Sequence, residues 1–253
     1  MRVISFINEK GGSCKTTLSV NFAFYLASKG LKTTIIDMDP QGAAGKTLGV
    51  EIGNIEKTIL DILIGSEGTD INNTTIKVGD NLYLIPSNKL LASFPIECEG
   101  IRESERLLKK VVSNIDTNIV IIDSPPSMNL LTINVIVASD DIIIPVPLTY
   151  LSLEGCADLL ETLEAIKRYH DVEPRILGII PVFWRRTKLA NEILNKLQDF
   201  FGNNVKITEP LGFDVKIDEA QSHGKPIFEY ALNSKGASSI KRIADSLLLS
   251  ETS

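Results

Sequence analysis

Six runs of apolar, largely β-branched residues recur along the chain, and their hydrophobicity is continuous rather than alternating. Continuous hydrophobicity predicts strands that are covered on both faces, as in a parallel sheet that lies between layers of helices. The predicted strands are Val3–Ile7, Thr33–Ile36, Leu82–Ile85, Ile119–Ile122, Asp141–Val146 and Ile176–Val182.

The longer segments between these runs are predicted to be helical. They are Lys15–Ser28, Ser104–Ser113, Leu130–Ala138, Ser152–Tyr169, Leu189–Phe201 and Ser238–Leu249. The alternation of strands and helices predicts an α/β fold, with a doubly wound, mostly parallel sheet and helices on both faces. In such a fold the ligand binds outside the carboxyl ends of the strands.

The chain contains no internal repeat, low-complexity stretch or convincing linker. Its 253 residues suit one α/β domain, and we predict a single domain spanning residues 1–253. The polar stretch 65–79 and the segment 86–99 are predicted to be surface loops within it.

Charge and cysteine content narrow the class of protein. The net charge of −6 argues against a wholly cationic nucleic-acid coat, although it leaves room for a local basic patch. Three cysteines without a Cys-x-x-Cys spacing indicate a reducing compartment rather than disulfides or a metal cluster. The first strand leaves no room for a signal peptide, and no apolar run is long enough to span a bilayer. We therefore expect a soluble, cytoplasmic protein.

A glycine-rich loop joins the first predicted strand to the first predicted helix. Backbone N–H groups and the positive end of a helix converge in such a loop, where an anion binds. Lys15 can reach the outer phosphates of a nucleoside triphosphate, and the hydroxyl of Thr16 can hold Mg²⁺. Cys14 replaces the usual glycine, and a chance glycine–lysine loop is the alternative. The predicted nucleotide-binding residues are Lys10, Gly11, Gly12, Ser13, Cys14, Lys15, Thr16 and Thr17.

Carboxylates follow two of the predicted strands. Asp37 and Asp39 come at the end of the second strand, and Asp123 follows four apolar residues of the fourth. The second pattern is that of a Walker B aspartate, which holds Mg²⁺ through its water shell. Capping of a following helix or turn is the alternative role for each of the three.

The sequence Lys-Gly-Gly-x-x-Lys-Thr-Thr resembles the deviant P-loop of the ParA/MinD group of dimeric ATPases. The resemblance implies a P-loop fold that binds ATP and Mg²⁺. It assigns a catalytic role to Lys10, which reaches the partner's nucleotide across a dimer, to Lys15, and to Asp39, which orients water. Thr16, Asp39 and Asp123 become the Mg²⁺ residues, and Asp37 supports the loop or the metal from behind.

Later segments resemble the ParA branch rather than the MinD branch. These segments are 142–147 followed by 150–155, then 222–230 and 234–237. A ParA-type protein is a partition ATPase whose ATP-bound sandwich homodimer binds double-stranded DNA nonspecifically. A ParB-like centromere-binding partner stimulates its slow hydrolysis. The resemblance therefore implies a nucleoid-associated protein that segregates a plasmid or a chromosome.

A basic turn after the last predicted strand is the candidate DNA contact. Arg185, Arg186 and Lys188 precede a helix, where cations and N-terminal amides suit duplex phosphates. In the family pattern Arg186 takes a DNA-contacting place and Lys216 a second one, whereas Phe213 and Asp218 depart from that pattern. A merely solvated basic turn is the alternative.

Two other functions share the nucleotide residues. A MinD-like ATPase would need a basic amphipathic C-terminal helix. The segment 240–249 has only two cations and its apolar residues suit packing, so we expect no stable membrane association. A factor that positions a different cargo would differ only in its partner.

Overall fold

Eight strands form one sheet in the part of the chain that the structure, a computed structural model, describes. It describes residues 1–149, 152–202 and 204–248; the side chains of 152–154 lie outside the description. The strands are β1 (Arg2–Phe6), β2 (Thr33–Asp37), β3 (Ile76–Gly79), β4 (Leu82–Ile85), β5 (Ile119–Asp123), β6 (Asp141–Pro147), β7 (Arg175–Trp184) and β8 (Leu211–Gly212).

The sheet order is β3-β4-β2-β5-β1-β6-β7-β8. Every neighbouring pair is parallel except β3 and β4, which are antiparallel. Strands β2 to β5 lie on one side of β1 and β6 to β8 on the other, which confirms the predicted doubly wound, mostly parallel sheet.

Twelve α-helices connect the strands within the described residues. They are α1 (Lys15–Ser28), α2 (Ala43–Thr47), α3 (Ile59–Ile64), α4 (Ile71–Thr74), α5 (Phe94–Glu97), α6 (Leu107–Val112), α7 (Leu130–Ala138), α8 (Ser152–His170), α9 (Lys188–Phe201), α10 (Val215–Ser222), α11 (Ile227–Tyr230) and α12 (Lys235–Leu248). Residue 249, the predicted end of the last helix, lies outside the description.

The two faces of the sheet bury separate apolar cores. Val3 of β1 packs with residues of α3, α6, α7, α8 and α9 on one face. Its neighbour Ile4 packs with residues of α1, α10 and α12 on the other. Successive side chains of a strand point to opposite faces, so one continuous apolar run supplies both cores.

Two segments differ from the sequence prediction. The stretch 65–79, predicted to be a surface loop, contains α4 and the edge strand β3. The segment 86–99 is not a simple surface loop either, because Leu91 and Phe94 are fully buried in the core. Leu91 belongs to a 3₁₀ turn, Lys89–Ser93, and Phe94, three residues later, is the first residue of α5.

No described helix is both long enough and apolar enough to cross a membrane. The last helix, α12, turns its apolar side chains inward. Ile240, Ile243, Ala244 and Leu247 of this helix are all buried in the core. This arrangement agrees with the predicted packing of the C-terminal segment.

Candidate nucleotide-binding site

The glycine-rich loop lies at the carboxyl end of β1 and leads directly into α1. Gly12 and Cys14 both have a positive φ, of 70° and 64°. Cys14 therefore holds the left-handed conformation that glycine adopts without strain, which explains why glycine is usual at this position. Burial, reinforced by the carboxylate of Asp218, raises the pKa of the Cys14 thiol to about 12.

Lys15 is the first residue of α1, its side chain reaches back into the loop, and it is only 6% exposed. Its Nζ atom donates hydrogen bonds to the backbone oxygens of Asn8 at 2.9 Å and Lys10 at 3.3 Å. Burial lowers the pKa of the Lys15 ammonium, and the carboxylates of Asp123 and Asp39 oppose that shift. The buried ammonium of Lys15 is thus hydrogen-bonded to backbone oxygens, and the oxygens of a bound anion can replace them as acceptors.

A cavity of about 210 Å³ lies over this loop. It brings together residues from three strand ends, because Asp39 follows β2 and Pro126 follows β5. Its remaining lining is Gly11, Gly12, Ser13, Cys14, Lys15, Thr16 and Thr17. The sequence-predicted loop and one of the predicted carboxylates therefore share a single cavity.

Lys10 lies apart from the lining of that cavity. A Cβ atom built on Gly155, in the first part of α8, would lie 3.3 Å from the Lys10 Cε atom and 3.7 Å from its Nζ atom. The Lys10 side chain thus runs alongside α8. The two lysines of the motif therefore have different surroundings within one subunit: Lys15 lines the cavity, and Lys10 lies beside α8.

A hydrogen bond from Thr16 connects Asp123 to the end of the glycine-rich loop. The Thr16 hydroxyl donates a 2.7 Å hydrogen bond to Asp123 Oδ2. Asp123 Oδ1 and the Ser13 hydroxyl are buried and have no hydrogen-bond partner among the described residues. Burial raises the pKa of the Asp123 carboxyl, and the hydrogen bond from Thr16 opposes that shift. Unsatisfied buried oxygens of this kind fit a hydrated cation and its phosphate ligands.

The two aspartates after β2 have different partners. Asp37 is fully buried, and it accepts hydrogen bonds from the backbone N–H groups of Asp39 at 3.0 Å and Ala44 at 3.0 Å. It therefore caps the start of α2, which is the alternative role considered above. Asp39 accepts a bond from the Gln41 N–H and faces the cavity over the loop.

A second, narrow cavity adjoins the loop and shares Cys14 and Thr17 with the first. Its volume is about 30 Å³, which is room for one or two waters. The spacing of residues in the sequence does not predict this cavity, because its lining comes from separated elements. The remaining lining residues are Phe183, Leu211, Gly212, Phe213, Asp214, Ile217 and Asp218.

The predicted basic residues divide into two sets. Arg185 and Arg186 are exposed and line an open groove of about 530 Å³ together with Lys235, which the sequence analysis did not single out. Lys188 and Lys216 lie outside the lining of this groove. They are exposed, and they form ion pairs with Glu192 at 3.8 Å and Glu219 at 2.7 Å respectively.

Comparison with known proteins decides the family. The chain is 36% identical over 240 residues to the sporulation initiation inhibitor protein Soj of Bacillus subtilis, covering 93% of this chain and 94% of that protein. It is 35% identical over 246 residues to the chromosome-partitioning ATPase Soj of Treponema pallidum, covering 96% of this chain and 95% of that protein. The chain belongs to the Soj/ParA family of chromosome-partitioning ATPases.

Two further comparisons agree with this membership. Residues 1–176 match the family model described as an AAA domain. The cobyrinic acid a,c-diamide synthase of Mycobacterium smegmatis, solved with an ATP analogue and magnesium, superposes with a TM-score of 0.86 at 25% identity. That superposition covers 98% of this chain and 94% of the other. The family resemblance inferred from the sequence is thereby confirmed, as is the predicted P-loop ATPase fold.

Two of the later segments that resemble the family, 150–155 and 234–237, differ in how much of them the structure describes. The family-like segment 150–155 begins at Tyr150 and Leu151, which lie outside the described residues. The segment 234–237 falls at the start of α12, where the Gly236 N–H donates to Asp214 Oδ2 at 2.7 Å. That contact ties the start of α12 to the loop after β8.

Proposed function

We propose that this Soj/ParA-family protein is a slow, partner-stimulated ATPase whose ATP-bound dimer binds DNA nonspecifically and segregates a plasmid or chromosome. The observation that carries the proposal is the cavity in which the glycine-rich loop and Asp39 converge, with Thr16 of its lining hydrogen-bonded to Asp123. A single ATPase domain spanning the chain performs this function.

ATP binds with its phosphates over the loop from Gly11 to Thr17. Lys15 exchanges its backbone partners for phosphate oxygens, since a phosphate carries a full negative charge and a backbone carbonyl carries only a partial one. The narrow cavity that shares Cys14 and Thr17 with the loop extends the site on one side. It takes the base, because its apolar lining includes two phenylalanine rings.

Thr16 and Asp123 would hold Mg²⁺, which would neutralise charge on the outer phosphates during hydrolysis. The described residues contain no group of three or more histidine, cysteine and acidic side chains that could hold a metal. Phosphate oxygens and water would supply further ligands, as Mg²⁺ favours at phosphate sites.

Asp39 orients the attacking water, because it is the carboxylate that faces the cavity. Asp39 would also contribute to the Mg²⁺ site, whereas Asp37 fixes the start of α2. No covalent intermediate is required, since phosphoryl transfer to water needs positioning and charge neutralisation.

Lys10 acts across a homodimer that closes when ATP binds. Its side chain lies beside Gly155 rather than in the lining of its own subunit's cavity. In the closed dimer the Lys10 ammonium reaches the phosphates bound to the partner subunit. It adds a second positive charge to that site, beside the lysine that the site already has in its own loop. Hydrolysis removes the phosphate that both subunits hold, and the dimer separates.

DNA binds along the cations at the end of β7 and the start of α9 and α10. Arg185 and Arg186 supply the centre of this surface, Lys235 extends it, and Lys188 and Lys216 contribute from its margins. Nonspecific binding depends on phosphate neutralisation. DNA binding places the protein on the nucleoid in the cytoplasm. A ParB-like centromere-binding protein stimulates hydrolysis and releases the dimer from the DNA. The packed apolar face of α12 argues against a membrane role.

A mobility-shift titration with a duplex of arbitrary sequence tests the proposal. With ATP and Mg²⁺ the protein should bind, and with ADP it should bind much more weakly. Affinity should fall with salt at a log–log slope of about −0.9 per phosphate contact. Arg186→Glu should abolish binding while ATP-dependent dimerisation persists.

Lys196→Glu is the matched control, because Lys196 is an exposed α9 lysine outside the groove lining. It makes the same change of charge and should retain most of the binding. Salt-insensitive or absent binding in both nucleotide states would favour a cargo-positioning ATPase that acts on a partner other than DNA.

A further inference from the structure

The narrow cavity beside the glycine-rich loop shares a wall with the open groove that Arg185, Arg186 and Lys235 line, which we call the cationic groove. Four consecutive residues line both of them: Leu211, Gly212, Phe213 and Asp214. The first cavity also contains Cys14 and Thr17 of the nucleotide site. The groove contains Arg185 and Arg186 of the proposed DNA surface. One short segment of chain therefore separates the two proposed binding sites of a single subunit.

The cavity on the nucleotide side is too small for a base in this conformation. Its volume is about 30 Å³, whereas pockets that hold small molecules have volumes of roughly 300–1,000 Å³. A base can enter only if part of the lining moves. Leu211 and Ile217 are buried in the core, while Phe213 is 57% exposed and Phe183 is 41% exposed. The two phenylalanine rings are thus the parts of the lining that can move at least cost.

Movement of Phe213 changes the groove directly. The guanidinium carbon of Arg185 lies 5.8 Å from the centre of the Phe213 ring, within the range of a cation–π contact. A ring that moves out of the narrow cavity pushes against, or releases, this guanidinium. The position of Arg185 therefore depends on whether the cavity is filled.

Asp214 extends the connection to the helices on either side. Its Oδ1 atom accepts a 3.0 Å hydrogen bond from the Lys216 N–H at the start of α10. Its Oδ2 atom accepts a 2.7 Å bond from the Gly236 N–H at the start of α12. The first helix supplies Asp218 to the narrow cavity, and the second supplies Lys235 to the groove. A shift of residues 213–214 thus changes both linings together.

We propose that Phe213 and Asp214 are positioning residues that couple occupancy of the base cavity to the arrangement of the cationic groove within one subunit. Entry of a base displaces the Phe213 ring, which repositions Arg185, and Asp214 carries the displacement to the start of α12. The coupling is reciprocal, so a polyanion in the groove changes nucleotide affinity by the same factor. The inference rests on the proposed placement of the base, but it does not require that the polyanion be DNA.

Trp184 provides a direct measurement. It is the only tryptophan of the chain, and it lines the groove but not the narrow cavity. Titration of the full-length protein with ADP, followed by tryptophan emission, should give a saturable change. Its midpoint should equal the ADP dissociation constant from calorimetry. Pyrophosphate fills the phosphate loop without a base, and it should leave the emission unchanged.

Phe213→Ala should lose most of the emission change at saturating ADP, because the ring no longer links the cavity to Arg185. Phe200→Ala is the matched control. Phe200 is a phenylalanine with 51% exposure on α9, and it lines neither site. This variant should keep the full response.

The outcomes separate the coupling from the proposed ATPase function. Calorimetric binding of ADP without any change in Trp184 emission would overturn the coupling and leave the nucleotide site standing. An equal response to pyrophosphate, or a full response in Phe213→Ala, would also overturn it. Absence of ADP binding would overturn the nucleotide site and the coupling together.

Discussion

The Thr16 hydroxyl, at the start of α1, donates a 2.7 Å hydrogen bond to the Asp123 carboxylate at the end of β5. The contact joins the phosphate loop to the strand that carries the Walker B pattern. It also leaves the second carboxylate oxygen of Asp123 buried and without a partner among the described residues. This geometry fits the Mg²⁺ site that we propose beside the Thr16 hydroxyl.

Asp123→Asn should weaken Mg²⁺-dependent ATP hydrolysis, because an amide cannot stabilise the ion's water shell as a carboxylate does. Loss of an outer-shell partner costs about 10–100-fold in metal affinity or activity. The measurement is the Mg²⁺ concentration for half-maximal ATPase rate. Asp116→Asn is the control, since Asp116 is an exposed acid paired with Lys32. Equal Mg²⁺ dependence in both variants would remove Asp123 from the metal site.

Asp37→Ala and Asp39→Ala should fail in different ways. Asp37→Ala leaves the buried N–H groups of Asp39 and Ala44 without an acceptor, at a cost of about 1–3 kcal/mol in the free energy of unfolding. Asp37→Asn should recover part of that loss, because its amide oxygen still accepts. Denaturant titration measures both variants.

Asp39→Ala should retain the stability of the wild type and accumulate an ATP-bound dimer, because water is no longer oriented. ATP turnover and sedimentation velocity measure this outcome. Wild-type turnover by Asp39→Ala, together with loss of turnover in a folded Asp37→Asn, would exchange the two assignments.

Lys10→Ala should bind ATP but should neither dimerise nor hydrolyse it. The side chain lies beside Gly155 and away from the lining of its own cavity, so its removal leaves the cradle intact. Lys109→Ala, on the exposed face of α6, serves as the control. Sedimentation with ATP and a steady-state ATPase assay check the result. Normal turnover by Lys10→Ala would disprove the cross-subunit role.

Cys14 should react slowly with iodoacetamide despite its place in the site. Burial raises the pKa of its thiol to about 12, and only the thiolate is the nucleophile. Between pH 8 and pH 10 the labelling rate should therefore rise about tenfold per pH unit without levelling off. Peptide mass spectrometry follows Cys14 separately from Cys98 and Cys156. A plateau near pH 9 would contradict the buried, neutral thiol.

The sequence predicted the central elements well because continuous apolar runs have few alternative structures. Helices Lys15–Ser28 and Leu130–Ala138 were predicted with the bounds that the structure gives them. The edge strands β3 and β8 were missed, because a strand of two to four residues has too short a pattern to detect.

Within the candidate site, the sequence located the loop and the strand-end carboxylates, since local spacing determines both. Only the family resemblance, and not the spacing, distinguished the roles of Asp37 and Asp39, because the hydrogen bonds of Asp37 depend on where α2 lies. The sequence also missed Lys235 and the bond from the Gly236 N–H to Asp214, because both join elements that are far apart in the chain. Only the folded chain brings such residues together.

The central pairing of β1 with β5 places residue 2 beside residue 119. A ribosome delivers the glycine-rich loop early, but it delivers the carboxylate that completes the cavity only after β5 has been made. Until then the nascent chain has the phosphate loop but lacks the Asp123 carboxylate that pairs with Thr16. Nucleotide can therefore stabilise this fold only after β5 has been made, and the apolar strands made before that point depend on other protection from aggregation.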